Sequence, residues 1–187
     1  MMIPRKKMSI AYLHECFAYE PDTGIFTWKE RPLSHFRSDL SRKRFNITHE
    51  GTKAGSIMTC GRIALNVNKT KWLASRVAWA MMKGRWPKAS IDHINGDHSD
   101  NSFVNLREAT LQQNQFNRRP NKNNNLGVKG VSLLKNARRN KYRATIQINR
   151  KTIRLGRFET LDEAAQAYAN AARKFHGEFV CLERKSA

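Results

Sequence analysis

The stretch Ile91-Asp92-His93-Ile94-Asn95-Gly96-Asp97-His98-Ser99-Asp100-Asn101, continued by Val104-Asn105-Leu106-Arg107 and Thr110-Leu111-Gln112-Gln113-Asn114, decides how this chain is read. Ile91 to Ile94 is a short strand-like run, and Asn95-Gly96 after it is a turn dipeptide. Thr110 with Gln113 makes a capping box, so a helix opens near Leu111 and carries Asn114 on its first turns. Pro120 sets the latest end of that helix. Strand, loop and helix thus gather a histidine, a carboxylate and two amides within residues 91–120.

Those are the parts that phosphodiester hydrolysis needs. A neutral imidazole takes a proton from attacking water near pH 7. A carboxylate and an amide oxygen hold one hard cation and leave positions open for phosphate oxygen and water. Of the neighbours, His98 is read as a loop residue or DNA contact, and Asp97 and Asp100 as loop caps, rather than as ligands. An EF-hand fails on spacing, because no Asp-x-Asp/Asn-x-Asp/Asn-Gly run occurs.

At this point the chain resembles a known family. Asp92-His93, Asn105 and Asn114 resemble the HNH motif of homing endonucleases in its His-Asn-Asn form, and the surrounding phrase is similar to the phage and group I intron branch. The resemblance implies a ββα-metal fold with one divalent ion, Mg²⁺ or Mn²⁺. It implies His93 as general base, Asp92 and Asn114 as metal ligands, and Asn105 as the group orienting the His93 ring. Thr23-Gly24-Ile25-Phe26-Thr27-Trp28, Ala54-Gly55-Ser56 and Arg76-Val77-Ala78-Trp79 resemble the element that commonly precedes the motif. Ser75 departs from it, since many relatives have a histidine before the arginine.

Working outward, the charge is uneven. The 187 residues carry 35 Lys+Arg and 15 Asp+Glu, a net charge of +20 with a pI near 10.5. Residues 1–90 hold 17 basic and 6 acidic side chains, residues 91–120 hold 3 and 4, and residues 121–187 hold 15 and 5. Two basic segments flank a near-neutral centre, as expected of a polyanion binder that concentrates carboxylates at one cation site. Apolar runs of about 18 residues are missing, so no membrane partner is expected. Cys16, Cys60 and Cys181 are far apart and form no Cys-x-x-Cys, which argues for a reducing compartment and against a thiolate zinc site.

Residues 1–90 read as a strand, hairpin and helix element. Pro21 to Gly24 is a turn, Asn68-Lys69 turns a hairpin, and Ser75–Lys83 is a helix stopped by Gly84. Arg31 to Lys53 is read as a surface loop, with Arg42, Lys43 and Arg44 contacting DNA. Trp28, Trp72 and Trp79 are assigned to the core rather than to base stacking.

A polar linker at 121–125 leads to residues 126–187. Strand-like stretches cover 127–134, 141–149 and 151–158, with a turn at Asn149-Arg150. A capping box at Thr160 and Glu163 opens a helix to about Phe175, whose buried stripe is Leu161, Ala164, Ala165, Tyr168, Ala172 and Phe175. Alternation puts Tyr142, Ala144, Ile146 and Ile148 on the helix side, and Arg143, Thr145, Gln147, Asn149, Thr152 and Arg154 outward. Lys129-Gly130-Val131, Tyr142-Arg143-Ala144 and Leu155-Gly156-Arg157-Phe158 resemble the DNA-binding domain of the APETALA/ethylene-response-factor type. That resemblance implies DNA contacts from Arg143, Thr145, Gln147, Arg154 and Lys129. Arg154 stands where the family has tryptophan and Lys129 where it has arginine, so its usual target sequence does not carry over.

The expected class is α+β, a ββα-metal HNH core followed by a three-stranded antiparallel sheet packed on one helix. The expected function is site-specific cleavage of duplex DNA, as a nick or a double-strand cut, by a monomer in the cytoplasm of a phage-infected bacterial host. The rivals are a non-catalytic DNA-binding regulator and an RNA-binding, maturase-like factor.

Overall fold

The computed structural model describes residues 7–118, 120, 123–135, 137–139, 141–149 and 151–182. Arg150 of the expected Asn149-Arg150 turn, residues 121 and 122 of the linker, and residues 183–187 lie outside the described residues. The chain is a mixture of helix and sheet, divided into compact units of residues 1–109 and 110–187.

In the first unit, helix α1 (Ile10–Cys16) starts where the Ser9 hydroxyl accepts from the Tyr12 amide. Strands β1 (Phe17–Glu20) and β2 (Ile25–Trp28) form an antiparallel hairpin, Phe17 opposite Trp28. Residues 31–53 are not a loop, because helix α2 (Asp39–His49) runs through them. The Ser38 hydroxyl caps α2, and Asp39 pairs with Arg42 at 2.8 Å and Lys43 at 2.9 Å. Asn46 then locks the helix to the chain before it, exchanging two 3.0 Å hydrogen bonds with the Arg31 backbone. A helix held by polar pairs shows no apolar stripe, which is why its sequence reads as loop.

Strands β3 (Ser56–Ile57), β4 (Ile63–Val67) and β5 (Thr70–Leu73) form an antiparallel sheet in that order. Asn68 and Lys69 both take positive φ, +49° and +60°, as a two-residue hairpin turn of type I′ demands. Helix α3 (Ala74–Lys83) follows, and Gly84 ends it in the left-handed conformation. Leu13, Phe17, Phe26, Leu65, Val77, Ile91 and Leu106 share one core, with Trp28, Trp72 and Trp79 packed against it. Strands β6 (Ser90–His93) and β7 (Leu106–Ala109) pair antiparallel beside that core.

The second unit opens with helix α4 (Leu111–Phe116), whose capping box has both hydrogen bonds, Thr110 with Gln113. Strands β8 (Val131–Leu133), β9 (Tyr142–Ile148) and β10 (Lys151–Phe158) form an antiparallel sheet with β9 in the centre. Helix α5 (Leu161–His176) covers one face, burying Ala164, Tyr168 and Ala172 against Ala144 and Ile146. Gly130, at φ +73°, leaves room for the Tyr168 ring, which any Cβ there would overlap. At the end of α5 the expected stripe is off by one residue. Phe175 is exposed, and His176 is buried instead.

The compact units divide between Ala109 and Thr110, so that α4 falls with the residues after it. The reason is that α4 is held by residues of the C-terminal segment, as described below.

Candidate active site

The site begins at the end of β6. Register sets Asp92 opposite Arg107 and His93 opposite Leu106, so the two short strands fix both side chains. Asp92 and His93 are 5% and 4% exposed. Arg107 donates to Asp92 Oδ2 from Nε at 3.0 Å and from Nη2 at 2.8 Å. A side chain that arrives charged beside a buried carboxylate keeps it from being an isolated ion.

The loop between the strands is tied by its own polar side chains. Asn105 Oδ1 accepts from the Asn95 amide at 2.9 Å, and Asn105 Nδ2 donates to the Asp100 carbonyl at 2.9 Å. Asp97 accepts from the Ser99 amide and hydroxyl, and Asp100 accepts from the Ser102 amide and hydroxyl. Those bonds, the hydroxyl ones foremost, hold both carboxyls below their usual range. Asp97 and Asp100 thus cap the loop.

Asn105 was expected to orient the His93 ring. Its side chain instead fixes the backbone of the loop, and a different amide meets the ring. Asn101 Oδ1 lies 3.2 Å from His93 Nε2. Asn101 is 2% exposed, its Nδ2 donates to the Ser99 carbonyl, and its own carbonyl accepts from the Tyr19 hydroxyl at 2.8 Å. The turn between β1 and β2 backs it from below. The Phe103 amide donates to the Pro21 carbonyl at 2.7 Å, and Gly24 sits so close that a Cβ would overlap the Asn101–Ser102 backbone. In the sequence Asn101 ends the stretch that begins at Ile91 and has no assigned role. The signal was there only as an asparagine eight positions after the histidine.

Electrostatics favour a neutral imidazole. Burial lowers the His93 pKa from the ordinary 6.5, His98 and Arg62 push the same way, and Asn101 and Asp92 oppose them. The His98 ring lies edge-on to it, with centroids 5.3 Å apart. An amide oxygen only accepts, so this contact favours the tautomer with the proton on Nε2.

Asn114 stands on α4 in the second unit, its amide donating to the Thr110 carbonyl at 3.0 Å. Asp92, His93, Asn101 and Asn105 are therefore gathered in one unit, and Asn114 belongs to the other. Among the described residues no group of three or more His, Cys, Asp or Glu could hold a metal ion. The chemistry of the donors nonetheless fits a hard cation. Mg²⁺ needs only one or two protein carboxylate or amide oxygens beside substrate and water.

The remaining expected contacts divide. Arg42 and Lys43 lie on the exposed face of α2, in ion pairs with Asp39, and Arg44 is on the same helix. Arg143, Thr145, Gln147 and Arg154 are on the sheet face of the second unit, where Thr145 pairs with Arg154. A β-bulge between Arg154 and Gly156 then brings Arg157 opposite Arg143. Arg143, Arg154, Gly156 and Arg157 line one shallow groove of about 160 Å³. Strict alternation from Arg154 would place Gly156, not Arg157, on that face, so the sequence hid it. Lys129 is spent elsewhere. Its ammonium donates to the carbonyls of Gln115, Phe116 and Arg118 at 3.1, 2.8 and 2.9 Å, which uses its three donors.

Residues 73–116, which span β6, the loop, β7 and α4, match the HNH endonuclease family. The chain thus carries an HNH endonuclease domain over these residues, a domain found in nucleases. It is 32% identical over 102 residues to Protein 3.8 of Escherichia phage T7, an alignment covering 54% of this chain and 82% of that protein. It is 36% identical over 89 residues to a protein of Acanthamoeba polyphaga mimivirus named as an uncharacterized HNH endonuclease. That alignment covers 48% of this chain and 44% of the mimivirus protein, less than half its length. No solved structure matches the chain significantly. No helix among the described residues is long and apolar enough to cross a membrane.

Proposed function

We propose that the protein is a site-specific DNA endonuclease of the homing type, acting on duplex DNA in a phage-infected bacterial cell. The single observation that carries this is the buried, neutral-leaning His93, held by Asn101 beside the Asp92 carboxylate. His93 takes the proton from the attacking water through Nδ1. Asn101 keeps the ring in the tautomer that leaves Nδ1 basic, and Asn105 keeps the loop that carries Asn101 in place. Asp92 and Asn114 would hold one Mg²⁺ or Mn²⁺ in a ββα-metal arrangement. The ion supplies charge neutralisation at the scissile phosphate and the leaving oxygen.

The two basic regions supply affinity. Arg42, Lys43 and Arg44 contact phosphates, the surface ion pairs of Arg42 and Lys43 being worth only about 0–1 kcal/mol and therefore easily exchanged. The outward face of the C-terminal sheet, with Arg143, Thr145, Gln147, Arg154 and Arg157, reads base edges in the manner of the APETALA-type domain it resembles. Arginine pairs with guanine and glutamine with adenine in the major groove.

The test is to incubate the purified protein with phage and host duplex DNA in Mg²⁺, Mn²⁺ or EDTA and to map ends by sequencing. Ends at one recurrent site, dependent on the ion, support the reading. DNA binding at a discrete site with no cleavage in either ion would make the protein a regulator, and preference for structured RNA over duplex DNA would make it an RNA-binding factor.

A further inference from the structure

Helix α4 has six residues, too few to persist on its own, since isolated helices shorter than about 12–15 residues are marginal. The capping box serves its first turn. Its other end is held by residues far along the chain. Lys129 gathers the carbonyls of Gln115, Phe116 and Arg118 under one ammonium. The Phe116 ring lies flat on the His176 ring, centroids 3.7 Å apart and planes 9° apart. Gln112 donates to the Asn149 side chain at 3.2 Å. Each anchor belongs to the sheet-and-helix body: Lys129 precedes β8, Asn149 follows β9, and His176 ends α5.

These anchors are costly to build. Lys129 is largely buried, and burial lowers its pKa, so its charge is tolerated only because the three carbonyls receive it. His176 is 7% exposed on a helix whose next-door Phe175 is left in solvent. A histidine turned inward in place of a phenylalanine gains nothing for an apolar core, but its flat ring stacks on Phe116 while Nε2 meets the Gln147 carbonyl at 3.3 Å. The arrangement orients α4 rather than merely covering it.

We infer that Lys129 is a positioning residue for helix α4, and through α4 for Asn114. This rests on the reading of Asn114 as a metal ligand. Lys129 is accordingly not a phosphate contact. Within residues 110–187, α4 is thereby built onto the sheet-and-helix body.

The test uses the full chain as wild type, Lys129→Met, Phe116→Leu, Asn114→Ala, and Lys129→Met with Asn114→Ala. Three quantities are read: Mg²⁺ and Mn²⁺ concentration at half-maximal cleavage, affinity for the mapped DNA in EDTA, and hydrogen exchange of the amides at 114–118. The Met variant keeps the stem and loses the donors, and Phe116→Leu removes only the stacking, so it serves if Lys129→Met folds poorly. The expected result is faster exchange at 114–118 in both variants, with the rest of the unit unchanged. The metal requirement should rise by about 10-fold or more, as for groups that orient ligands. DNA affinity should be unchanged, and the double variant should be no worse than Asn114→Ala, since both act on one ligand. A wild-type metal response in Lys129→Met, while Asn114→Ala is shifted, overturns the inference alone. Loss of DNA affinity with unchanged exchange would also overturn it and return Lys129 to the DNA. A wild-type metal response in Asn114→Ala overturns the ligand reading on which the inference stands.

Discussion

Asn101 Oδ1 lies 3.2 Å from His93 Nε2, and the Asn101 main-chain carbonyl in turn accepts from the Tyr19 hydroxyl at 2.8 Å. The base of the proposed reaction is therefore oriented by a loop amide that the first hairpin of the chain supports. Asn101→Ala should lower the cleavage rate by about 10–100-fold with little change in DNA affinity, the usual cost of losing an orienting partner. Single-turnover kinetics and binding in EDTA on the same DNA check it. Equal losses in rate and affinity would mean that Asn101 serves the fold alone.

His93→Ala should reduce cleavage by about 10²–10⁴-fold, the typical worth of a general base, and leave DNA binding nearly intact. A wild-type rate in this variant removes His93 from the mechanism.

The pH dependence has a definite sign. The imidazole must be unprotonated to accept, and burial lowers its pKa from 6.5, so the acid limb of the rate should reach half its plateau below pH 6.5. Asn101→Asp would set a carboxylate against the ring and favour the imidazolium, moving that limb to higher pH. The measurement is the pH profile of single-turnover cleavage for both proteins. A limb unmoved by Asn101→Asp would separate Asn101 from the titrating group.

What could be read from the sequence was local. The caps at Thr110 and Thr160, the Asn68-Lys69 turn and the alternation of β9 are each specified by a few adjacent residues, and the structure has them. What could not be read depends on partners distant in the chain or on a change of register. Helix α2 is stabilised by polar pairs and by Asn46 against Arg31, so no apolar period marks it. Asn101 reaches His93 only because the intervening loop folds back. The bulge at Gly156 shifts Arg157 onto the face of Arg143, and Lys129, read as a DNA contact, turns to the end of α4 thirteen residues before it.

Gly24 couples the first hairpin to the site through backbone alone. Its φ of +69° and its approach to Asn101–Ser102 leave no space for a side chain. Gly24→Ala should therefore destabilise the protein by about 1–3 kcal/mol or more, as strained backbone does, and should slow cleavage in the fraction that stays folded. Thermal unfolding and active-site-normalised rates check both. A variant with wild-type stability would mean that the hairpin shifts freely and does not buttress Asn101.

Arg157 carries the last expectation. Arg143 and Arg157 face each other across β9 and β10, with Arg154 beside Thr145 in the same groove. The buried Nε of Arg143 has no hydrogen-bond partner among the described residues, a cost of the kind that a ligand's acceptor would remove. If the groove reads bases, Arg157→Ala should cost about 1–3 kcal/mol at the cognate site and relax preference at one or two positions, as should Arg143→Ala. If the arginines meet only phosphates, the loss should be uniform across sequences and the salt slope should fall by about one unit per arginine. Selection from randomised DNA, with binding measured at several salt concentrations, separates the two. Base reading is the expected outcome, because Arg143 is half-buried on a sheet face whose neighbours, Thr145 and Gln147, also carry base-reading groups. Identical preferences from wild type, Arg143→Ala and Arg157→Ala would assign the groove to the DNA backbone.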